Sequence, residues 1–175
     1  MKEVAQEVRE RARGNRLMIF DVDGVLTDGT LWYSPAGEAL KAFHALDGHG
    51  LKMLAASGVG CALLSGRKSK AVAVRARELG IRHVLQGIDD KRPAFEGLLR
   101  KVKLTSAQAG YMGDELVDLP VLTRCGFACA PREAPEAVRS RVHYVADAPP
   151  GRGAVRGLCE LVLRAQAGGA GACRP

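Results

Sequence analysis

The stretch RLMIFDVDGVLTDG, residues 16–29, carries the first decision about the fold. Its apolar run, Leu17–Phe20, halts at Asp21; Asp23 follows two positions on, then Gly24 and a Thr-Asp-Gly turn. A run so short and so uniformly apolar reads as a strand buried on both faces, the kind a parallel sheet uses. On its own, an Asp-x-Asp after a strand has a plainer reading as a turn or a cap. The rest of the chain decides between the two.

That rest alternates. Residues 3–13 read as a charged amphipathic helix and 30–43 as a hairpin turning at Ser-Pro-Ala-Gly. Helical periodicity resumes over 47–56, the short strand GCALLS follows, and 68–79 is helical again. RHVLQ is a strand, and Asp89 or Asp90 caps a helix reaching about Lys101. AGYMGD is a strand ending on Asp114, 115–123 is a short helix, GFACA and VHYVA are strands, and GAVRGLCELVLRAQ is the last helix. Strands alternating with helices predict a three-layer, doubly wound, Rossmann-like α/β fold with a parallel sheet and a protruding β-hairpin. The expected layout is one domain over 1–167 and a flexible tail over 168–175, rich in Gly and Ala.

Composition narrows the function classes. The chain has 175 residues, 47% hydrophobic and only 5% aromatic, enough for a core built from aliphatic side chains. No apolar run approaches the roughly 20 residues of a membrane span. The N-terminal segment is charged throughout and unlike a secretory signal, so the expected address is the cytoplasm and no membrane partner is expected. The formal charge of +7 is dispersed, without basic runs or interleaved aromatics, so an anionic small molecule is the expected partner rather than nucleic acid. The five cysteines are scattered with no C-x-x-C pair and read as reduced thiols. His83 and His143 fall in strand-like segments and read as structural.

In parallel α/β sheets, ligands bind beyond the carboxyl ends of the strands. The polar residues placed there are Asp21 and Asp23, Ser65, Lys91, and Asp114 with Asp118. Four carboxylates converging on one edge repel one another unless a cation sits among them or their pKa values rise. Mg²⁺ suits an all-oxygen site that retains water. With Ser65 as a hydroxyl donor and Lys91 as a cation, the set fits a phosphoryl group. A carboxylate can then attack phosphorus to give an aspartyl-phosphate, while Asp23 serves as acid and base. Each element alone has a bland reading: loop chemistry for Ser65, a solvated lysine for Lys91, an acidic helix start for Asp114 and Asp118. Their joint occurrence, in order and each at a strand end, favours the site.

These segments resemble the four motifs of the haloacid dehalogenase superfamily of phosphotransferases: DVDGVLTDG, LLSGR with Ser65, Lys91 in GIDDKRPAFEGLL, and YMGDELVDLPVL. The longer stretches SPAGEALKAFHALDGHGLKML, SGRKSKAVAVRARELGI and GRGAVRGLCELVL narrow the resemblance to the 3-deoxy-D-manno-octulosonate 8-phosphate phosphatases of lipopolysaccharide sugar synthesis. The resemblance implies Asp21 as nucleophile and Mg²⁺ ligand, Asp23 as acid/base and main-chain ligand, Asp114 as the third protein ligand, and Asp118 as its support. It implies substrate contacts from His44, Ala45, Leu46, Asp47 and Gly48 on a loop, and from Lys52, Arg67, Arg75 and Lys91. It further implies a homotetramer in which the hairpin packs between subunits and the C-terminal segment reaches a neighbour's site. Relatives often carry Asp where this chain has Glu115, and Arg where it has Leu46 and Lys52. The gaps between Asp21, Ser65 and Lys91 are too short for a cap domain. Two other readings compete. One is a related phosphatase acting on a nine-carbon acidic sugar phosphate. The other is a phospho-accepting or regulatory domain.

Overall fold

A computed structural model describes residues 5–168. In chain order the elements are α1 (Gln6–Arg13), β1 (Leu17–Phe20), β2 (Trp32–Ser34), β3 (Gly37–Leu40), α2 (Ala45–Ala56), β4 (Gly60–Ser65), α3 (Lys70–Glu78), β5 (His83–Gln86), α4 (Lys91–Val102), β6 (Ala109–Met112), α5 (Leu119–Leu122), β7 (Phe127–Pro131), α6 (Glu136–Arg139), β8 (Tyr144–Ala146) and α7 (Ala154–Ala167). Six strands make one parallel sheet in the order β5-β4-β1-β6-β7-β8, and β2 and β3 form the separate antiparallel hairpin.

β1 sits mid-sheet, with Leu17 opposite Gly60 of β4 and Ala109 of β6. All four of its residues are buried, which explains its unbroken apolar sequence. Successive side chains go to opposite faces. Met18 and Phe20 join Leu51 and Leu54 of α2, Val72 of α3 and Leu158 and Val162 of α7 in one core. Leu17 and Ile19 join Phe95, Leu98 and Leu99 of α4, Leu122 of α5 and Val138 of α6 in the other. Beyond β1 the chain builds outward to β4 and β5, then crosses back to β6. That reversal opens a crevice at the strand ends of β1 and β6. Between Asp21 and Ser65 lie only the hairpin and α2, with no cap domain.

Three local features depart from expectation. The helix expected from residue 47 begins at Ala45 with His44 as its N-cap, so the loop expected at residues 44–48 is a helix start. The helix expected over 115–123 divides into a 3₁₀ turn, Leu116–Asp118, and α5. Asp118 turns its carboxylate back on the backbone of Asp114 and Glu115, and Pro120 suits a fresh first turn where no N–H is needed. The short α6 after Pro135 gave no periodic signal. Of the expected tail over 168–175, all but Gly168 lies outside the described residues.

Candidate active site

The backbone of Asp21 extends the β1–β6 pairing, its N–H donating to Met112 O across 2.9 Å. The chain then coils tightly: the N–H groups of Val25, Leu26 and Thr27 all reach Val22 O, and Thr27 Oγ1 accepts from Gly29 N. This coil turns both Asp21 and Asp23 into the crevice. Asp21 Oδ1 accepts from Val22 N at 2.7 Å.

Lys91 opens α4, whose N-cap Asp90 accepts from Arg92 N. Its ammonium is buried and donates to Asp21 Oδ2 at 2.7 Å and Asp118 Oδ1 at 2.6 Å. Burial alone would weaken this ammonium, but Asp21 and then Asp118 outweigh it and hold its pKa above the ordinary lysine value.

Asp118 is wholly buried and every acceptor position is occupied. Oδ1 takes Lys91 Nζ and the Tyr111 hydroxyl, the latter at 2.6 Å, while Oδ2 takes the N–H groups of Asp114 and Glu115, each at 3.1 Å. A Cβ on Gly113 would stand 2.5 Å from Asp118 Cγ, so the glycine of G-D-x-x-x-D makes room for the last aspartate of the same motif.

Asp114 is the opposite case. Its Oδ1 is buried with no hydrogen-bond partner. Burial, then the charges of Asp21 and Asp118, push its carboxyl up to about 7. Asp21 rises to about 6, because burial and Asp118 together exceed the opposing pull of Lys91. Gly24, at φ +78°, clears the space beside Asp114: a Cβ there would stand 2.1 Å from Asp114 Oδ2. One oxygen from each of Asp21, Asp114 and Asp118 lies within 4.8 Å of the others. Since Asp118 is saturated, a cation would draw on Asp21 and Asp114. An orphaned buried carboxylate oxygen beside a second carboxylate fits a hard divalent ion such as Mg²⁺.

The crevice has a volume of about 410 Å³ and is lined by Asp21, Asp23, Ser65, Arg67, Lys91 and Asp114, among others. Ser65 is buried at the end of β4. Of the expected substrate contacts, Arg67 and Lys91 reach the crevice and the remaining residues do not. Ala45, Leu46 and Lys52 face solvent on α2. His44 borders a separate hollow with Asp28 and Arg152. Gly48 is packed under the Arg75 guanidinium, which lies over the Phe43 ring and pairs with Glu78. Asp47 is buried and turned toward α7, accepting from Gly153 N at 3.1 Å and Arg156 N at 2.7 Å. It caps a distant helix.

Two contributors escaped the sequence reading. Tyr111 carries a signal, since a buried tyrosine needs a partner for its hydroxyl. Lys41, whose ammonium bonds Asp23 Oδ1, carries none, because a hairpin lysine reads as solvated. His143 Nδ1 accepts from Ala128 N, the structural role expected of it. Glu115 turns to its own backbone, accepting from Leu116 N. The four described cysteines are free and buried.

No family model matches the chain. It is 42% identical to the 3-deoxy-D-manno-octulosonate 8-phosphate phosphatase of Yersinia pestis over 163 residues, 93% of this chain and 87% of that protein. The crystal structure of the Yersinia pestis phosphatase superposes with a TM-score of 0.92 at 41% identity, covering 96% of this chain and 91% of that one. The Moraxella catarrhalis phosphatase, crystallised with magnesium ion, phosphate ion and a KDO molecule, gives a TM-score of 0.90 at 40% identity, with 92% of each chain covered. Identity at this level over nearly the whole length, on the same fold, places the chain in the 3-deoxy-D-manno-octulosonate 8-phosphate phosphatase family of the haloacid dehalogenase superfamily.

Proposed function

We propose that the protein hydrolyses 3-deoxy-D-manno-octulosonate 8-phosphate to the free sugar acid and inorganic phosphate, a step in lipopolysaccharide sugar synthesis, with Mg²⁺ as cofactor. One observation carries the reading: β1, β4, β6 and the start of α4 deliver Asp21, Asp23, Ser65, Asp114 and Lys91 to a single crevice. That is the donor set a phosphoryl group requires, in a chain that matches these phosphatases over its length.

Asp21 and Asp114 would hold Mg²⁺ with the main-chain carbonyl of Asp23. When bound, the ion neutralises charge on the phosphoryl oxygens. The protein's own groups carry the rest. Lys91 orients Asp21 through its hydrogen bond and adds a second positive charge beside the phosphate. Ser65 donates its hydroxyl to a phosphoryl oxygen. Asp21 attacks phosphorus, the P–O bond to the sugar breaks, and the departing alkoxide takes a proton from the Asp23 carboxyl. Asp23, now a carboxylate, takes a proton from water as that water attacks the aspartyl-phosphate, and Asp21 is released. Asp118, with its acceptor positions already taken, would act from behind the site, positioning Lys91 and the Asp114 backbone.

We further read residues 1–167 as one catalytic unit working as a homotetramer in the cytoplasm. Free cysteines are in keeping with a reducing compartment. The hairpin exposes Leu31, Trp32, Tyr33 and Leu40, with Trp32 52% and Tyr33 61% exposed, a patch suited to burial against another subunit. Ala45, Leu46 and Lys52 face solvent outside their own crevice, and contact with substrate from these residues would have to come across such an interface.

The test is phosphate release across a sugar-phosphate panel that includes the eight-carbon substrate and a nine-carbon homologue. Turnover of the octulosonate ester, abolished by EDTA and by Asp21→Asn, is expected. A strong preference for a different ester would reassign the substrate; full activity of Asp21→Asn would overturn the mechanism.

A further inference from the structure

The hairpin does more than protrude. Lys41, just past β3, has a side chain only 2% exposed, and its ammonium bonds Asp23 Oδ1 and, at 3.1 Å, Glu38 Oε2. Glu38 in turn bonds the Ser69 hydroxyl through its other oxygen. Ser69 is itself fixed, its N–H donating to Gln86 Oε1 and its hydroxyl capping α3 at Val72 N. On the other hairpin strand, Tyr33 OH accepts from Arg67 Nη1 at 2.9 Å. A buried lysine between two carboxylates is costly to place, and removing one partner leaves the others uncompensated.

From this geometry we infer that Lys41 is the positioning residue for the acid/base Asp23, and that it assigns the two carboxyl oxygens different tasks. The inference rests on the phosphatase reading above. An ammonium has only protons to donate, so the oxygen it bonds must accept. Oδ1 is therefore the anchored oxygen in both protonation states, and the transferable proton sits on Oδ2. That oxygen lies 3.9 Å from Arg67 Nε, on a residue that lines the crevice. In the first step the Oδ2–H bond breaks and the proton goes to the leaving alkoxide oxygen as its bond to phosphorus breaks. In the second step Oδ2 takes a proton from the attacking water. Without Lys41 the carboxyl is free to turn, and the proton is no longer held toward the leaving group.

The test separates positioning from general structural damage by the leaving group. kcat/KM covers only the steps through departure of the alcohol. A sugar alkoxide needs a proton to leave; p-nitrophenolate does not. Lys41→Met is expected to lower kcat/KM for the octulosonate ester by about 10- to 100-fold, a part of the roughly 10²–10⁴-fold that a general acid contributes, while changing it less than about twofold for p-nitrophenyl phosphate. Lys41→Arg is expected to restore a large part of the loss. Equal losses on both esters, or no loss on the sugar ester, would overturn the inference. Should circular dichroism show Lys41→Met unfolded, Glu38→Gln loosens the same lysine and must show the same dependence on leaving group; equal losses there would be just as contrary. Wild-type enzyme assayed alongside keeps the two readings apart, since its failure on every sugar phosphate would count against the phosphatase assignment rather than against Lys41.

Discussion

Tyr111 donates its hydroxyl to Asp118 across 2.6 Å beneath the floor of the crevice, and the same oxygen receives Lys91 at 2.6 Å. The phenol is fully buried; burial, then the nearby charge of Asp118, pushes its own ionisation well above the ordinary tyrosine range, so it stays a donor. Tyr111→Phe should therefore cost about 1 kcal/mol in urea unfolding and lower kcat several-fold with little change in KM. Asp118→Asn removes the negative charge from the buried lysine and should cost more, about 3 kcal/mol. Equal effects of the two substitutions would show that the Lys91–Asp118 pair contributes little.

Gly24 bears on the metal. A methyl group at this position would overlap Asp114 Oδ2 and would also occupy a left-handed backbone. Gly24→Ala is expected to raise the Mg²⁺ concentration needed for half-maximal activity by about tenfold or more, and to weaken Mg²⁺ binding in calorimetry to match. Unchanged metal affinity would remove Asp114 from the ligand set.

The crowded carboxylates make metal-free stability depend on pH. Asp114 sits at about 7 when folded, while an unfolded aspartate titrates near 4. Between those values the folded chain holds the extra proton, so stability is greatest on the acid side and falls as pH rises toward about 7. With EDTA present, the free energy of unfolding obtained from urea titrations should fall between about pH 5 and about pH 7.5 by an amount on the order of a few kcal/mol. Saturating Mg²⁺ should remove most of that slope, because the ion takes the place of the proton. A free energy of unfolding that rises over the same range would contradict the arrangement.

Asp47 offers a stability test away from the chemistry. Its carboxylate holds the N–H groups of Gly153 and Arg156 at the start of α7. Asp47→Ala should lower stability by about 1–2 kcal/mol, the usual loss for a helix cap, as read by urea unfolding.

The fold was legible because the strands are short and apolar and most end on a polar residue or a glycine turn. LMIF, GCALLS and AGYM are central strands, and their lack of alternation matches burial on both faces. The carboxylates of the first and fourth motifs were legible for the same reason, since strand ends in a parallel sheet share one edge. What the sequence could not reveal depends on contacts across the fold. Asp47 looked like a loop residue because nothing near it in the chain announces that it caps a helix more than a hundred positions away. Nothing in the sequence marks Lys41, because its burial depends on how the hairpin leans over Asp23. The single helix expected after Asp114 divides because Asp118 satisfies backbone donors within its own motif, a choice that periodicity does not record.

Whether Asp21 is the phosphorylated residue can be read directly on the protein. Enzyme mixed with substrate, quenched within a turnover and reduced with borohydride converts an aspartyl-phosphate to homoserine at that position. Sequencing the tryptic peptide 17–41 by mass spectrometry then reads the site directly. Homoserine is expected at position 21, dependent on both substrate and Mg²⁺, with Asp23 unchanged; homoserine at position 23, or at neither position while phosphate is being released, would contradict Asp21 as the nucleophile.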